Sequence, residues 1–221
     1  MKMGSYIIIE GDEGSGKTTQ VELLAARLRG LGRKVETVRE PGGDSLGELL
    51  RLVLKGDLAN EKYCRLREQY FDGEDPSISP YVETLGFLTA RTSMRANVVY
   101  PLLASGVDVI SDRGEVSTLV YQGIAGGVDM AFLRAACAHV ASVAPPTVTI
   151  VLDVPLTVSQ ERQVSRGGSG DRFESRGDGY RRLINDGYRQ IANEDLLPLV
   201  DADQSVKAVH KGIWSVVRKR I

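Results

Sequence analysis

The chain has 221 residues, of which 42% are hydrophobic and 26% charged, and its formal net charge is −1. This length and composition favour a single globular domain over residues 1–221. A balanced charge gives no indication of a nucleic-acid-binding or membrane-surface protein. No apolar run reaches transmembrane length, and the N-terminus does not match a secretory signal. We therefore expect a cytoplasmic protein without a nucleic-acid or membrane partner, in which Cys64 and Cys137 are reduced thiols.

Short apolar strands alternate with segments of helical periodicity along the chain. Ser45 is the predicted N-cap of the second helix, because Glu48 follows it three residues later. In chain order, the predicted elements are strand 6–10, helix 17–29, strand 34–38, helix 45–54, helix 81–104, strand 107–111, strand 147–152, helix 155–164, helix 180–194, strand 197–200 and helix 205–218. Strands separated by helices indicate a parallel sheet covered on both faces, that is, an α/β/α three-layer sandwich.

Two segments in the middle of the chain fit this alternation less simply. Residues 57–80 are polar and rich in turn-forming residues, which favours an insertion that forms an excursion or a flexible arm. Residues 81–104 have the pattern of a long helix, and we expect most of its apolar positions to face the core.

The stretch Gly11-Asp-Glu-Gly-Ser-Gly16-Lys17-Thr18 matches the P-loop pattern and lies between a predicted strand and a predicted helix. Glycines let successive backbone N–H groups point at one anion, and the helix N-terminus adds positive potential. Lys17 can reach the β- and γ-phosphates, and the Thr18 hydroxyl can bind Mg²⁺. The predicted phosphate-binding residues of this loop are Gly11, Gly14, Ser15, Gly16, Lys17, Thr18 and Thr19. A GTPase, a motor ATPase and a kinase of a small acceptor all remain compatible with the loop alone.

Five further motifs resemble those of the thymidylate kinase family when they are taken together and in this order. They are REPGG at 39–43, FLTAR at 87–91, DRGEVSTLVYQG at 112–123, IVLDVP at 150–155 and DRFE at 171–174. The resemblance extends from about Tyr6 to the C-terminus and is interrupted mainly at 57–80. It implies a P-loop nucleoside monophosphate kinase that uses ATP and Mg²⁺ to convert dTMP into dTDP, and that forms a homodimer.

The residues independently suggest a second phosphate site. Arg39 and Arg113 follow predicted strands, and open α/β sheets bind ligands beyond the carboxyl ends of their strands. Asp112 ends a strand where a carboxylate near Mg²⁺ is common. Surface ion pairs for the arginines and an N-cap for Asp112 are the alternatives.

The resemblance implies further contacts to the acceptor nucleotide. Without it, Phe87 would be assigned to the core and the helical polar positions to a surface. Glu13 would face the acceptor sugar, and Phe87 and Arg91 share a helix face suited to stacking and hydrogen bonding on the base. The complete predicted acceptor set is Glu13, Arg39, Phe87, Arg91, Arg113, Thr118, Tyr121 and Gln122.

The glycine at position 14 of the P-loop resembles the bacterial type of the family, whose members supply arginines from a mobile lid. A lid at about 162–178 is predicted here, where a solvated charged loop is the alternative. Arg162 would contact ATP, while Arg166 and Arg172 would join the catalytic set of Lys17, Arg39 and Arg113.

Gly114 and Ala90 depart from the family, which usually has an aromatic residue or histidine, and Asp or Asn, at these positions. Another pyrimidine monophosphate therefore remains open as the acceptor. A deoxynucleoside kinase and a non-catalytic nucleotide-binding protein are further alternatives. A deoxynucleoside kinase would need a general base that activates the acceptor hydroxyl group, and it would not need a cationic clamp for an acceptor phosphate.

Overall fold

A five-stranded, fully parallel sheet forms the centre of the fold in the computed structural model of the chain. The structure describes residues 3–165, 172–173 and 176–221. The strands are β1 (Tyr6–Gly11), β2 (Val35–Arg39), β3 (Asp108–Asp112), β4 (Val148–Asp153) and β5 (Leu199–Asp201). Their order across the sheet is β2-β3-β1-β4-β5, so the central strand β1 leads directly into the glycine-rich loop.

Helices connect the strands. They are α1 (Lys17–Gly30), α2 (Ser45–Lys55), α3 (Glu61–Phe71), α4 (Pro80–Met94), α5 (Tyr100–Ala104), α6 (Glu115–Thr118), α7 (Met130–Ala141), α8 (Leu156–Ser165), α9 (Gly177–Glu194) and α10 (Val206–Val217). Two π-helical turns continue helices, Arg95–Val99 after α4 and Leu119–Ile124 after α6. No described helix has the length and apolar character needed to cross a bilayer.

The side chains of β1 alternate between two apolar layers, as expected of a strand buried on both faces. Ile7 and Ile9 pack in the cluster that contains Leu24 of α1 and Ile213 of α10. On the opposite face, Tyr6 and Ile8 belong to a cluster with Met94 and Val99. A further cluster joins α4, α7 and α9 over the same sheet. The predicted α/β/α three-layer sandwich is confirmed.

The parallel register brings three predicted site residues, Gly11, Arg39 and Asp112, to one edge of the sheet. Ile9 of β1 pairs with Asp112 of β3, and Arg39 of β2 pairs with the same residue. Because parallel strands end at the same edge, the loops that follow Gly11, Arg39 and Asp112 surround one crevice.

The observed boundaries differ from the predicted ones mostly by one to three residues, but the predicted N-cap of the second helix was wrong. Asp44 and not Ser45 caps α2, since its carboxylate accepts the Gly47 N–H at 2.7 Å. Most apolar positions over 81–104 are buried or half-buried, as expected, although Val82 and Leu85 are exposed.

The prediction of a flexible arm at 57–80 was also wrong. This segment contains α3, and the Asn60 side chain caps the helix by accepting the N–H groups of Lys62 and Tyr63. Tyr63 is fully buried, and its hydroxyl donates to Asp75 at 2.8 Å. The polar composition concealed a helix in which Tyr63 is the one fully buried residue.

Replacing Tyr63 by alanine should lower the free energy of unfolding by about 3 kcal/mol or more, because it leaves a cavity where a whole aromatic ring was buried. Tyr70 lies on the same helix with 69% of its surface exposed, so Tyr70→Ala should change the value by less than about 0.5 kcal/mol. Urea unfolding of both variants measures the difference. Equal, small effects would show that α3 is not packed on the domain.

Candidate active site

A cavity of about 640 Å³ opens at the carboxyl edge of β1, β2 and β3. The P-loop and the start of α1 form one side, and α4 with the second π-helical turn forms the other. The predicted residues that line the cavity are Glu13, Gly14, Gly16, Lys17, Thr18, Arg39, Phe87, Arg91, Asp112, Arg113, Thr118, Tyr121 and Gln122. Donor-side and acceptor-side residues therefore share a single space.

The backbone of the P-loop explains why its glycines are needed. Gly14 and Gly16 have φ angles of 77° and 90°, in the left-handed region that favours glycine. A Cβ atom on Gly14 would lie 2.5 Å from the Ser159 carbonyl oxygen of α8. Close packing of α8 against the loop is thus sufficient to require glycine at this position.

Polar side chains from distant parts of the chain hold the P-loop in place. The Asp12 carboxylate accepts the Glu13 N–H at 2.7 Å and the Asn185 amide of α9 at 3.0 Å. Ser159 donates to the Glu13 carbonyl at 2.6 Å. Asp12, Ser159 and Asn185 were not predicted as site residues, and only the position of Asp12 inside the motif could have indicated one of them.

Lys17 is buried, with 8% of its surface exposed, and its ammonium donates to the carbonyls of Gly11 at 3.0 Å and Asp12 at 2.8 Å. Burial, with a smaller contribution from Arg113, lowers the pKa of Lys17 to about 8. The ammonium therefore remains charged near neutral pH but loses its proton at mildly alkaline pH.

Thr18 and Asp112 meet at the start of α1, where the Thr18 hydroxyl donates to Asp112 Oδ2 at 2.7 Å. A hydroxyl and a carboxylate at one point are suitable ligands for Mg²⁺. The described residues contain no cluster of three or more metal-ligating side chains. Since Mg²⁺ usually binds through one or two protein groups plus phosphate oxygens and water, this pair fits an ion that arrives with a nucleotide.

Arg113 is held firmly at the centre of the cavity. Its guanidinium donates to the Tyr188 hydroxyl at 2.7 Å and to Glu13 Oε1 at 3.0 Å, and it lies 5.5 Å from the Tyr121 ring centroid. Only 15% of the side chain is exposed. The arrangement presents a fixed positive charge opposite the P-loop.

Arg39 has a different environment, because it lies at the rim and pairs with Glu48 of α2 at 3.1 Å. Its side chain is 59% exposed. The structure therefore places Arg39 at the cavity but in a surface ion pair, one of the two alternatives that the sequence left open.

Each nitrogen of the Arg91 guanidinium has a partner within the protein. Nε donates to Glu40, one terminal nitrogen donates to Thr118 Oγ1 at 3.0 Å, and the other donates to the Gly114 carbonyl at 2.7 Å. Burial raises the pKa of Glu40 to about 7, although Arg91 opposes the rise. Thr118 and Gln122 are almost completely buried, so they do not form a polar surface.

Aromatic rings form the wall between α4 and α9. Phe87 lies 5.9 Å from Phe173, and Tyr121 lies 5.8 Å from the same ring and 6.5 Å from Tyr180. Phe87 lines the cavity and is only half-buried, so it is not a plain core residue. Phe173 and Tyr180 were missed as site residues. The DRFE motif was the one available signal for Phe173.

Neither of the described lid arginines lines the cavity. Arg162 donates to the Gly14 carbonyl at 3.3 Å and to the Ala202 carbonyl at 3.1 Å. Arg172 lies near the end of α2, where its N–H bonds the Lys55 carbonyl and its guanidinium approaches the Tyr63 hydroxyl at 3.4 Å. Arg166 lies outside the described residues. Gly11, Ser15 and Thr19 belong to the loop or α1 but do not line the cavity.

A P-loop at the end of the central strand, with a buried arginine and an aromatic wall facing it, defines an α/β nucleotide-binding protein of the phosphotransferase type. Comparison with protein families identifies the particular one. The thymidylate kinase family model matches residues 9–213, and the chain belongs to this family.

Curated relatives from several bacteria carry the name thymidylate kinase. The protein from Afipia carboxidovorans is 36% identical over 222 residues, which cover 99% of this chain and 90% of the relative. The Chlamydia trachomatis serovar D protein is 38% identical over 201 residues, covering 89% and 90%. The Caulobacter vibrioides protein is 35% identical over 223 residues, covering 100% and 99%. The resemblance noted in the motifs is confirmed over nearly the whole chain.

The lowered pKa of Lys17 predicts a specific pH dependence of nucleotide binding. The dissociation constant for MgATP should be constant just below pH 8 and should rise by up to about tenfold per pH unit above it, because only the charged ammonium attracts phosphate. Calorimetric titrations between about pH 7 and 9.5 measure this change.

Lys17→Arg is the matched control, since arginine stays charged throughout this range. Its affinity should be lower but independent of pH. An affinity of the wild-type protein that does not change up to pH 9.5 would contradict the assigned environment of Lys17.

Proposed function

We propose that the protein transfers the γ-phosphoryl group of ATP to the 5′-phosphate of dTMP, giving dTDP and ADP. Membership of the thymidylate kinase family supports this function. The observation that carries it is the single cavity in which Lys17 and Thr18 of the P-loop face Arg113 and the aromatic wall. Such a space accommodates a triphosphate and a second phosphorylated ligand end to end.

The reaction needs no covalent enzyme intermediate. An oxygen of the acceptor phosphate forms a bond to the γ-phosphorus while the bond between that phosphorus and the β–γ bridging oxygen breaks, and ADP leaves. Because the acceptor oxygen is already anionic, the protein contributes positioning and charge stabilisation. Arg113 would hold the acceptor phosphate, and the Lys17 ammonium would exchange its two carbonyl partners for phosphate oxygens.

Thr18 and Asp112 would hold Mg²⁺ together with the phosphates of ATP. The ion would neutralise phosphate charge and orient the γ-phosphoryl group. The residues themselves supply one hydroxyl and one carboxylate, already 2.7 Å apart. Glu13 lies on the acceptor side through its bond to Arg113, which is consistent with the expected proximity to the sugar.

The acceptor base would stack on Phe87 and meet Arg91 and Gln122 at its edge. Ala90 and Gly114, the two departures from the family, do not line the cavity. Ala90 is buried, and a Cβ atom on Gly114 would lie 3.0 Å from the Ile8 side chain. Both departures reflect local packing, so neither supports a different acceptor.

Arg39, Arg166 and Arg172 complete the proposed catalytic set, with Arg162 beside the P-loop as a contact to ATP. Arg39 and Arg172 would have to exchange their present partners, Glu48 and Tyr63, for phosphate oxygens. A charge that arrives with such a rearrangement acts mainly on the transition state. Arg172→Ala should therefore lower kcat more than it lowers ATP affinity, and proportional losses in both would contradict this role.

A homodimer is proposed from the family resemblance and from an exposed apolar surface. The packed helices α2 and α4 both expose large apolar side chains: Leu46 and Leu49 on α2, and Val82 and Leu85 on α4. Exposed apolar groups on neighbouring helices suit a contact with a second copy. Sedimentation equilibrium tests this, and a monomer at micromolar concentration would refute it.

An assay of ADP formation with separate monophosphates tests the proposed activity. We expect turnover with dTMP and Mg²⁺, and loss of turnover when Mg²⁺ is removed. dUMP, dCMP, UMP, the purine monophosphates and thymidine serve as competing acceptors. Preferred phosphorylation of thymidine would indicate a deoxynucleoside kinase, and no turnover with any acceptor would indicate a non-catalytic nucleotide-binding protein.

Arg113→Gln should reduce kcat/KM for dTMP by a factor corresponding to about 2–5 kcal/mol, because it removes a desolvated charge that binds the acceptor phosphate. Arg134→Gln is the control, since Arg134 forms exposed ion pairs with Glu194 and Asp195 outside the cavity. Steady-state kinetics and circular dichroism of both variants are required. Normal kcat/KM in a folded Arg113→Gln protein would place the clamp elsewhere.

A further inference from the structure

A buried carboxylate lies directly behind the proposed base pocket. Glu83 is on α4 one turn before Phe87, it is completely buried, and it does not line the cavity. Its two oxygens have different partners. The Arg176 guanidinium, at the start of α9, donates to Oε1, and the Gln122 side-chain amide donates to Oε2 at 3.3 Å. An ionised carboxylate is expensive to bury unless it is paired in this way.

The pairing with Arg176 determines what Glu83 can offer to Gln122. An ionised carboxylate only accepts hydrogen bonds, so Gln122 must turn its NH₂ group toward Glu83. The carbonyl oxygen of the same amide then points to the other side. The two ends of a glutamine amide are nearly equal in size, so packing alone would not choose between them.

The position of Arg176 is itself restricted by aromatic contacts. Its guanidinium carbon lies 5.0 Å from the ring centroids of both Phe173 and Tyr180. These rings are also neighbours of Tyr121, the residue that precedes Gln122. A charged donor in a restricted position therefore occupies the Glu83 oxygen that does not accept from Gln122.

We propose that Glu83 is a positioning residue for substrate selection: through its contact with Gln122 it keeps the carbonyl oxygen of that amide directed at the acceptor base. The inference rests on the proposed function of the cavity. With Arg91 as a neighbouring donor, the pocket offers one donor and one acceptor side by side. This pair complements a pyrimidine that carries an oxygen at position 4 and an N–H at position 3. A 4-aminopyrimidine presents the opposite pattern and is disfavoured at both positions.

Glu83→Gln tests the proposal because it keeps the shape and removes the charge that orients the amide. The ratio of kcat/KM for dTMP to that for dCMP should fall by about tenfold or more, since a site built on polar contacts discriminates through them. Glu194→Gln is the matched control. It makes the same replacement in an exposed ion pair with Arg134, and the ratio should stay within about twofold of the wild-type value.

The exchange variant Glu83→Gln with Gln122→Glu separates orientation from general damage. The amide introduced at position 83 can then donate to the new carboxylate at position 122. The other oxygen of that carboxylate is an acceptor in either orientation, so the selectivity should return toward the wild-type value. A merely structural role for Glu83 predicts lower stability in both variants and no recovery of the ratio. An unchanged ratio in folded Glu83→Gln, or no recovery in the exchange variant, overturns the proposal.

Two measurements keep this result separate from the proposed function. If Glu83→Gln does not fold, Arg176→Gln replaces it with the same expected loss of selectivity, because the Glu83 carboxylate then loses the charged donor that holds it against Gln122. Calorimetric titration with dTMP and with dCMP in the absence of ATP measures the base preference of the cavity without any phosphoryl transfer. Absence of turnover with dTMP in the wild-type protein refutes the kinase function, whereas an unaltered dTMP preference in the variants refutes only the role of Glu83.

Discussion

The carboxylate of Glu10 joins the two loops from which the site is built. Glu10 is the residue before Gly11 on the central strand β1, and it is fully buried. One oxygen accepts the N–H groups of Gly114 at 2.8 Å and Ser117 at 2.9 Å, and the other accepts the Ser117 hydroxyl at 2.7 Å. Burial raises the pKa of Glu10, and these donors together with Arg113 oppose the rise. Because Arg113 directly precedes the tethered Gly114, Glu10 helps, together with Tyr188 and Glu13, to fix the position of Arg113 relative to the P-loop.

The arginines of the proposed catalytic and binding sets differ in how firmly the protein holds them. Arg113 and Arg91 are buried and bonded within the protein, so their charges are already in place and cost little to reorganise during the reaction. Arg39 is exposed and paired with Glu48, and Arg172 lies against α2 and α3. The preorganised charges of Arg91 and Arg113 would bind the substrates. Arg39 and Arg172 would contribute only when both substrates are present. The helix α3 contributes to the environment of Arg172, since the Tyr63 hydroxyl lies 3.4 Å from the Arg172 guanidinium.

The local electrostatics also explain how a chain with a net charge of −1 can hold several phosphates. Lys17, Arg91 and Arg113 line one space, and the first of these has a lowered pKa because burial and a neighbouring cation disfavour its charge. Neighbouring acids compensate for the other two: the buried Glu40 for Arg91, and the half-buried Glu13 for Arg113. A phosphate that enters replaces part of this internal compensation, so the cations do not need a strongly basic protein around them.

The sequence by itself determined the phosphate-binding loop, the alternation of strands and helices, and the family. These features are local: the glycines, lysine and threonine act at fixed spacing, and periodicity shows which residues are buried. It also indicated Arg39 and Arg113, because each follows a strand of one parallel sheet, whereas the residues proposed to contact the acceptor base were implied only by the family resemblance. Only the tertiary structure decided what supports them. Asp12 and Asn185 are separated by 173 positions, and Glu83 and Arg176 by 93, with no periodic signal that relates them. The fold of residues 57–80 likewise depended on burial of Tyr63, which composition does not reveal. Hydrogen bonds between distant side chains arise from how helices pack on the sheet, and this packing is a property of the whole chain.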